Sequence, residues 1–135
     1  IHEAFQNFPK FDSRVFIGGP VDQDVIYFIH TKGEAITGSM QITKNLWLGG
    51  DFEVVKDLIN EKKLYPNEIR FFLGYSGWSE NQLEEEIEKE SWLIGGLKQS
   101  YVFKNFQENL WREALALNNP KLGFYGNYAF TPSFN

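Results

Sequence analysis

The sequence predicts an α+β fold, and three observations lead to that expectation. Short runs rich in β-branched and aromatic residues, such as Val25 to His30 (VIYFIH) and Ile69 to Tyr75 (IRFFLGY), read as strands. Other segments switch to helical apolar spacing behind a polar cap residue. The two kinds of element follow one another without strict β-α-β alternation, which favours α+β over a doubly wound sheet. The 135 residues fit one domain, and 42% hydrophobic residues with 13 Phe, 6 Tyr and 4 Trp supply a core, which excludes a disordered chain.

In chain order, Arg14 to Ile17 is a short strand stopped by Gly18-Gly19-Pro20, and Val25 to His30 is a buried strand. Ile36 to Ile42 and Leu46 to Leu48 follow as strands around a turn at Thr43-Lys44-Asn45. From Asp51 to Lys63 the apolar residues Val54, Val55, Leu58 and Ile59 recur at helical spacing. Asp51 is the expected N-cap, Lys62-Lys63 suit the C-terminal end of the dipole, and Tyr65-Pro66-Asn67 stops the helix. After the strand Ile69 to Tyr75, Ser79 and Gln82 form a capping-box pattern at the head of a helix whose narrow stripe is Leu83 and Ile87. Trp92 to Ile94 reads as a strand ended by Gly95-Gly96. A last helix from about Phe106 to Leu117 is expected to bury Leu110, Trp111, Ala114 and Leu117, with Asn105 and Glu108 at its cap. The tail after Pro120 is aromatic and irregular.

Composition narrows the chemistry. Without cysteine there is no disulfide, no thiolate ligand and no cysteine nucleophile. The two histidines, His2 and His30, lie far apart and make no zinc spacing, so neither a metal nor another cofactor is expected. Carboxylate-only magnesium or calcium sites stay open, but Asp22 and Asp24 do not make an EF-hand loop. No run of 18 apolar residues could span a membrane and no signal-peptide pattern opens the chain, so the reading is a soluble cytoplasmic domain. The net charge of −5 is concentrated between Glu80 and Glu90, where six glutamates meet one lysine; the rest is neutral. Such a balance disfavours direct nucleic-acid binding, which calls for a basic face. The acidic run is either a solvated helix face or a docking surface for a basic partner.

Several blocks resemble, in order, the AlgH/YqgE family of bacterial proteins. They are Phe16-Ile17-Gly18-Gly19-Pro20-Val21, Ile29-His30, Trp47-Leu48-Gly49-Gly50-Asp51 and Arg70-Phe71-Phe72-Leu73-Gly74-Tyr75-Ser76-Gly77-Trp78. Gln82-Leu83-Glu84-Glu85-Glu86-Ile87 and Trp92 continue the match, which covers roughly residues 12 to 117. The resemblance implies an α+β pseudo-barrel built from a bifurcated sheet with flanking helices. Functionally it implies little. The family takes its name from a proposed role in regulating alginate synthesis, its members are described as transcriptional regulators, and its genes often neighbour one for a Holliday-junction resolvase. No catalytic residues come with it. Against the family pattern, the chain starts at Ile1 without the N-terminal strands that carry a Gly-…-Asn-Lys-Pro signature, so a single, N-terminally incomplete domain is expected. Phe124 to Asn135 matches the usual ending poorly and reads as a lineage-specific extension.

Each candidate site has a plain structural reading beside it. Gly18-Gly19 could offer backbone amides to an anion, but a tight turn explains the pair better. Gly49-Gly50-Asp51 has the strand-to-helix setting of a phosphate cradle, yet the acidic Asp51 and the lack of a following Gly-Lys-Ser/Thr favour a capped helix start. His30 at the end of an apolar strand is either a general base or, more simply, a structural histidine. A triad of Ser76, His30 and Asp51 fails as a nucleophile elbow, because Trp78 stands where a glycine is required. The loop Gly74 to Trp78 carries two amphipathic rings, Tyr75 and Trp78, between a buried strand and a capped helix that adds Gln82 and Glu86; such rings serve either a binding surface or, as the structural reading, core packing. These four residues, with Gly18, Gly19 and His30, form the expected binding surface for a protein or small molecule of basic character. The expected function is a non-enzymatic regulatory or ligand-binding domain; the alternative is a hydrolase or transferase using carboxylates and His30.

Overall fold

A computed structural model describes residues 8–96, 98–103 and 110–118, and its contacts divide the chain into two compact units, Ile1–Trp78 and Ser79–Asn135. The first unit contains strands β1 (Val15–Ile17), β2 (Val21–His30), β3 (Met40–Thr43), β4 (Leu46–Leu48) and β5 (Ile69–Tyr75), and helix α1 (Phe52–Asn60). The strands form one mixed sheet in the order β1-β5-β2-β4-β3. β1 runs parallel to β5 and all other pairs are antiparallel. The class is therefore α+β with a mixed sheet; among the described residues the sheet is open, with β1 and β3 at its edges.

Alternation along β2 and β5 decides which face is the core. Phe28 pairs with Phe71 and His30 with Ile69, and all four are buried on one face. Val55 and Ile59 of α1, together with Ile36 and Leu64, close over them. Each such fully buried apolar side chain contributes roughly 1.5–3 kcal/mol. The helix forms where the sequence predicts. Asp51 caps it by accepting a 2.9 Å bond from the Glu53 amide, and Val55 and Ile59 are one turn apart on the inner stripe. It ends earlier than predicted, at Asn60. Lys62 takes a left-handed conformation (φ 57°), so Lys62-Lys63 lie beyond the helix, and Lys63 pairs instead with Glu61 at 2.6 Å.

Three expectations about elements are corrected. No strand runs from Ile36 to Ile42. Gly33–Ala35 is a 3-10 turn, Gly38 has φ 78°, and the strand starts only at Met40. Ile36 is apolar because it plugs the core from a turn, with no exposure at all. β2 begins at Val21, four residues before its apolar run, because the polar stretch Asp22–Asp24 is exposed. Trp92 to Ile94 forms no strand: it pairs with no sheet and is 46–72% exposed.

The second unit contains α2 (Gln82–Glu88) and α3 (Leu110–Asn118). Only half of the capping box exists. Gln82 Oε1 accepts from the Ser79 amide (3.0 Å) and hydroxyl (3.1 Å), whereas the N-cap is a left-handed Asn81 without a side-chain bond. The Ser79 oxygen therefore caps no helical amide with its side chain, because its hydroxyl is turned to Gln82. Along α3 the buried residue is Leu115; Trp111 and Leu117 are more than half exposed rather than buried, since nothing covers them among the described residues. The Asn118 side chain bonds both the Gly96 amide (2.7 Å) and its carbonyl (3.0 Å), tying that segment to α3. The expected helix start at Phe106, its caps Asn105 and Glu108, and the tail after Pro120 lie outside the described residues.

Candidate functional site

The face of the sheet opposite α1 carries an aromatic row. Phe16 pairs with Phe72 and Phe72 with Tyr27, so the three rings cross β1, β5 and β2 on the outer side. Phe16 and Phe72 rings lie 6.1 Å apart, and the Arg70 guanidinium sits 4.6 Å from the Phe16 ring centre. By strict alternation Tyr75 would share the inner face with Phe71 and Leu73. Instead its ring meets Tyr27 edge to face at 5.5 Å. The cause is Gly74, whose φ of 69° breaks the pleat just where β2 slips register between Val21 and Ile26.

Close backbone packing makes that bend possible. A Cβ on Gly74 would lie 2.6 Å from the Val21 carbonyl oxygen and 2.7 Å from that of Gly19. One on Gly18 or Gly19 would collide with the backbone of Gly74, Tyr75 or Ser76. The Gly18 amide donates to the Leu73 carbonyl at 2.8 Å, and the Ser76 hydroxyl reaches the Gly18 carbonyl at 3.4 Å. Gly18, Gly74 and Ser76 thus form one wall of a groove of about 420 Å³, and Tyr27, Leu48, Phe72 and Tyr75 form the rest. The size falls in the range of small-molecule sites. Burial, followed by the Asp22 carboxylate, Tyr75 and Asp24, holds the Tyr27 hydroxyl above its ordinary pKa of 10.

His30 lies on the other face and is fully buried. Its Nδ1 accepts from the Lys32 amide (3.2 Å), which leaves the proton on Nε2. Nε2 donates towards the Gly49 carbonyl and the Ser39 hydroxyl oxygen, each at 3.0 Å. The Ser39 hydroxyl in turn bonds the Ile36 carbonyl. The ring therefore joins the end of β2, the turn at 33–39 and the end of β4. Burial pushes its pKa below 6.5, against a smaller opposing effect of the Gly49 bond.

Of the residues singled out from sequence, Tyr75 and Gly18 line the groove; Gly19 packs behind it against the Tyr75 backbone. Trp78 is 41% exposed at the end of the first unit. Gln82 and Glu86 meet within the second unit, where the Gln82 amide donates to Glu86 Oε1 (2.9 Å) and the Trp92 indole to Glu86 Oε2 (2.7 Å). His30 is not at the groove. Sequence reasoning missed Tyr27, Leu48 and Phe72, although the alternation of Tyr27 with Phe28 and of Phe72 with Phe71 signals an aromatic outer face. Among the described residues no group of three or more His, Cys, Asp or Glu could hold a metal, and no helix is long and apolar enough to cross a membrane.

A mixed five-stranded sheet, backed by one helix and grooved on its other face, defines an α+β domain with a groove of small-molecule size. The chain belongs to the AlgH-like family, whose family model matches residues 1–123. It is 37% identical over 133 residues to a UPF0301 protein of Chlorobium phaeobacteroides, covering 98% of this chain and 71% of that one. To a UPF0301 protein of Cytophaga hutchinsonii it is 40% identical over 136 residues, covering 100% and 75%. The solution structure of the AlgH protein from Pseudomonas aeruginosa superposes with a TM-score of 0.62 at 25% identity. That match covers 77% of this chain and about half (53%) of the AlgH chain. The crystal structure of protein DIP2367 from Corynebacterium diphtheriae shares the fold, with a TM-score of 0.67 at 21% identity over 90% of this chain and 68% of that one.

Proposed function

We propose that this chain is a non-enzymatic, regulatory ligand-binding domain, and that its ligand occupies the groove beside Tyr27 and Tyr75. The observation that supports this most is the fixed edge-to-face ring pair, 5.5 Å apart, set against a wall of packed glycine backbone. A wall made largely of glycine backbone and rings already in place lose little freedom when a ligand enters, which favours affinity. A hydrolase or transferase built on His30 has less support, because its ring is sealed from solvent and both nitrogens are engaged in structural bonds. In the regulatory reading, occupancy of the groove governs a partner at a neighbouring surface, with exposed Trp78 as a first candidate contact.

The test is a two-dimensional amide NMR titration of the chain with a mixed library of small fragments. Shifts clustering at Tyr27, Phe72 and Gly74–Ser76, and lost in Tyr27→Ala, are expected. A library that perturbs other surfaces but never these residues refutes the reading.

A further inference from the structure

We propose that the groove selects an organic cation, a protonated or quaternary ammonium group seated against Tyr27 and Tyr75 under the carboxylates of Asp22 and Asp24. This rests on the ligand-binding reading above and adds the charge and chemical class of the ligand. The walls offer what such a group needs. Three rings, Tyr27, Phe72 and Tyr75, present electron-rich surface, and a cation is attracted to the face of such rings. The remaining lining is backbone, one leucine and one serine hydroxyl; no lining residue carries positive charge.

The negative charge comes from the same backbone irregularity that turns Tyr75 outward. Between Val21 and Ile26 the register on β2 slips, so four residues of β2 stand against the single residue Gly74 of β5. Asp22 and Asp24 lie on this exposed bulge, and Asp22 is held at φ 48°. Both carboxylates help to hold the Tyr27 hydroxyl above its ordinary pKa, in keeping with their place on the bulge a few residues before that ring. A phosphate or carboxylate ligand would face two like charges with no compensating cation in the lining. A neutral apolar ligand would leave both carboxylates without a role. An ammonium group satisfies rings and carboxylates together.

Choline and its uncharged isostere 3,3-dimethylbutanol separate these cases when titrated into the whole chain and followed by amide NMR. Choline is expected to shift Tyr27, Gly74 and Tyr75, and the alcohol to bind about tenfold more weakly. Replacing both carboxylates, Asp22→Asn with Asp24→Asn, should weaken choline by about tenfold and leave the alcohol unchanged. Asparagine tolerates the left-handed conformation at position 22, so this variant keeps the bulge. Equal binding of choline and the alcohol, indifferent to the double variant, overturns the cation assignment and leaves the groove as a ligand site. Failure of choline to reach the groove at tens of millimolar also overturns it, while the fragment library decides separately whether the groove binds ligands at all.

Discussion

Gly74→Ala is the perturbation on which the description of the groove depends most directly. Two penalties apply. The left-handed backbone (φ 69°) costs an L-residue about 1–2 kcal/mol. The new methyl would also lie 2.6 Å from the Val21 oxygen and 2.7 Å from the Gly19 oxygen, both backbone atoms that cannot rotate away. Overpacking of that kind adds about 1–3 kcal/mol, for a total of roughly 2–5 kcal/mol. Gly49→Ala serves as the control. Gly49 is also left-handed (φ 64°), but its Cβ would meet nothing within 4 Å, so only the first penalty of about 1–2 kcal/mol applies. Urea unfolding of both variants, followed by tyrosine and tryptophan fluorescence, gives the two losses on one scale. If Gly74→Ala costs no more than Gly49→Ala within about 0.5 kcal/mol, the tight backbone wall does not exist and the outward turn of Tyr75 needs another cause.

Further expectations concern the core, the helix cap and the loop. Because burial lowers the His30 pKa in the folded chain, its neutral form contributes stability that is fully present above pH 6.5 and lost as pH falls below it. The melting temperature should therefore decline from pH 6.5 towards 5, and His30→Gln, less stable at neutral pH, should decline less steeply over the same window. Phe71→Ala, at a position only 1% exposed, should cost about 3–5 kcal/mol by urea unfolding. Asp51→Ala should cost about 1 kcal/mol through loss of the bond to the Glu53 amide, and Asp51→Asn far less. Trp78→Ala, at a position 41% exposed, should stay well short of the roughly 3–5 kcal/mol of a buried ring, measured in the same way.

Local signals were enough where chemistry and conformation coincide within a few residues. β5 is legible as Ile69 to Tyr75 because its apolar and aromatic run favours extended structure and turns bound it. Helix α1 is legible because Asp51 and the Val55–Ile59 stripe lie within three turns. Ile36 misleads, since an apolar residue in a turn and one in a strand look alike until Gly33 and Gly38 are known to be left-handed. Trp92-Leu93-Ile94 misleads because strand propensity forms no strand without a neighbouring edge to pair with. Most of the site was beyond reach for the same reason. Tyr75 could be picked out as a large ring in a short loop, but its partner Tyr27 is 48 positions away in sequence, and the two meet only through a bulge that propensity does not encode. The bonds of His30 to Ser39 and the Gly49 carbonyl likewise depend on chain closure rather than on local pattern.

The place of β5 in the sheet, between β1 and β2, also bears on how this chain is made. Its two neighbours, β1 and β2, are synthesised first, yet each of their partners in β5 lies about forty residues or more further along the chain. Until Tyr75 has left the ribosome, β1 lacks its partner β5, β2 lacks the strand that covers its longer side, and of the ladders described only the short β3–β4 and β2–β4 pairings can close. Distant pairings of this kind must bear the entropy of loop closure before they gain contacts, which slows folding. Phe28, Ile26 and the rings of the aromatic row therefore spend the early part of synthesis without their native cover, at risk of association between nascent chains. A pause in translation between β2 and β5 would lengthen that exposure.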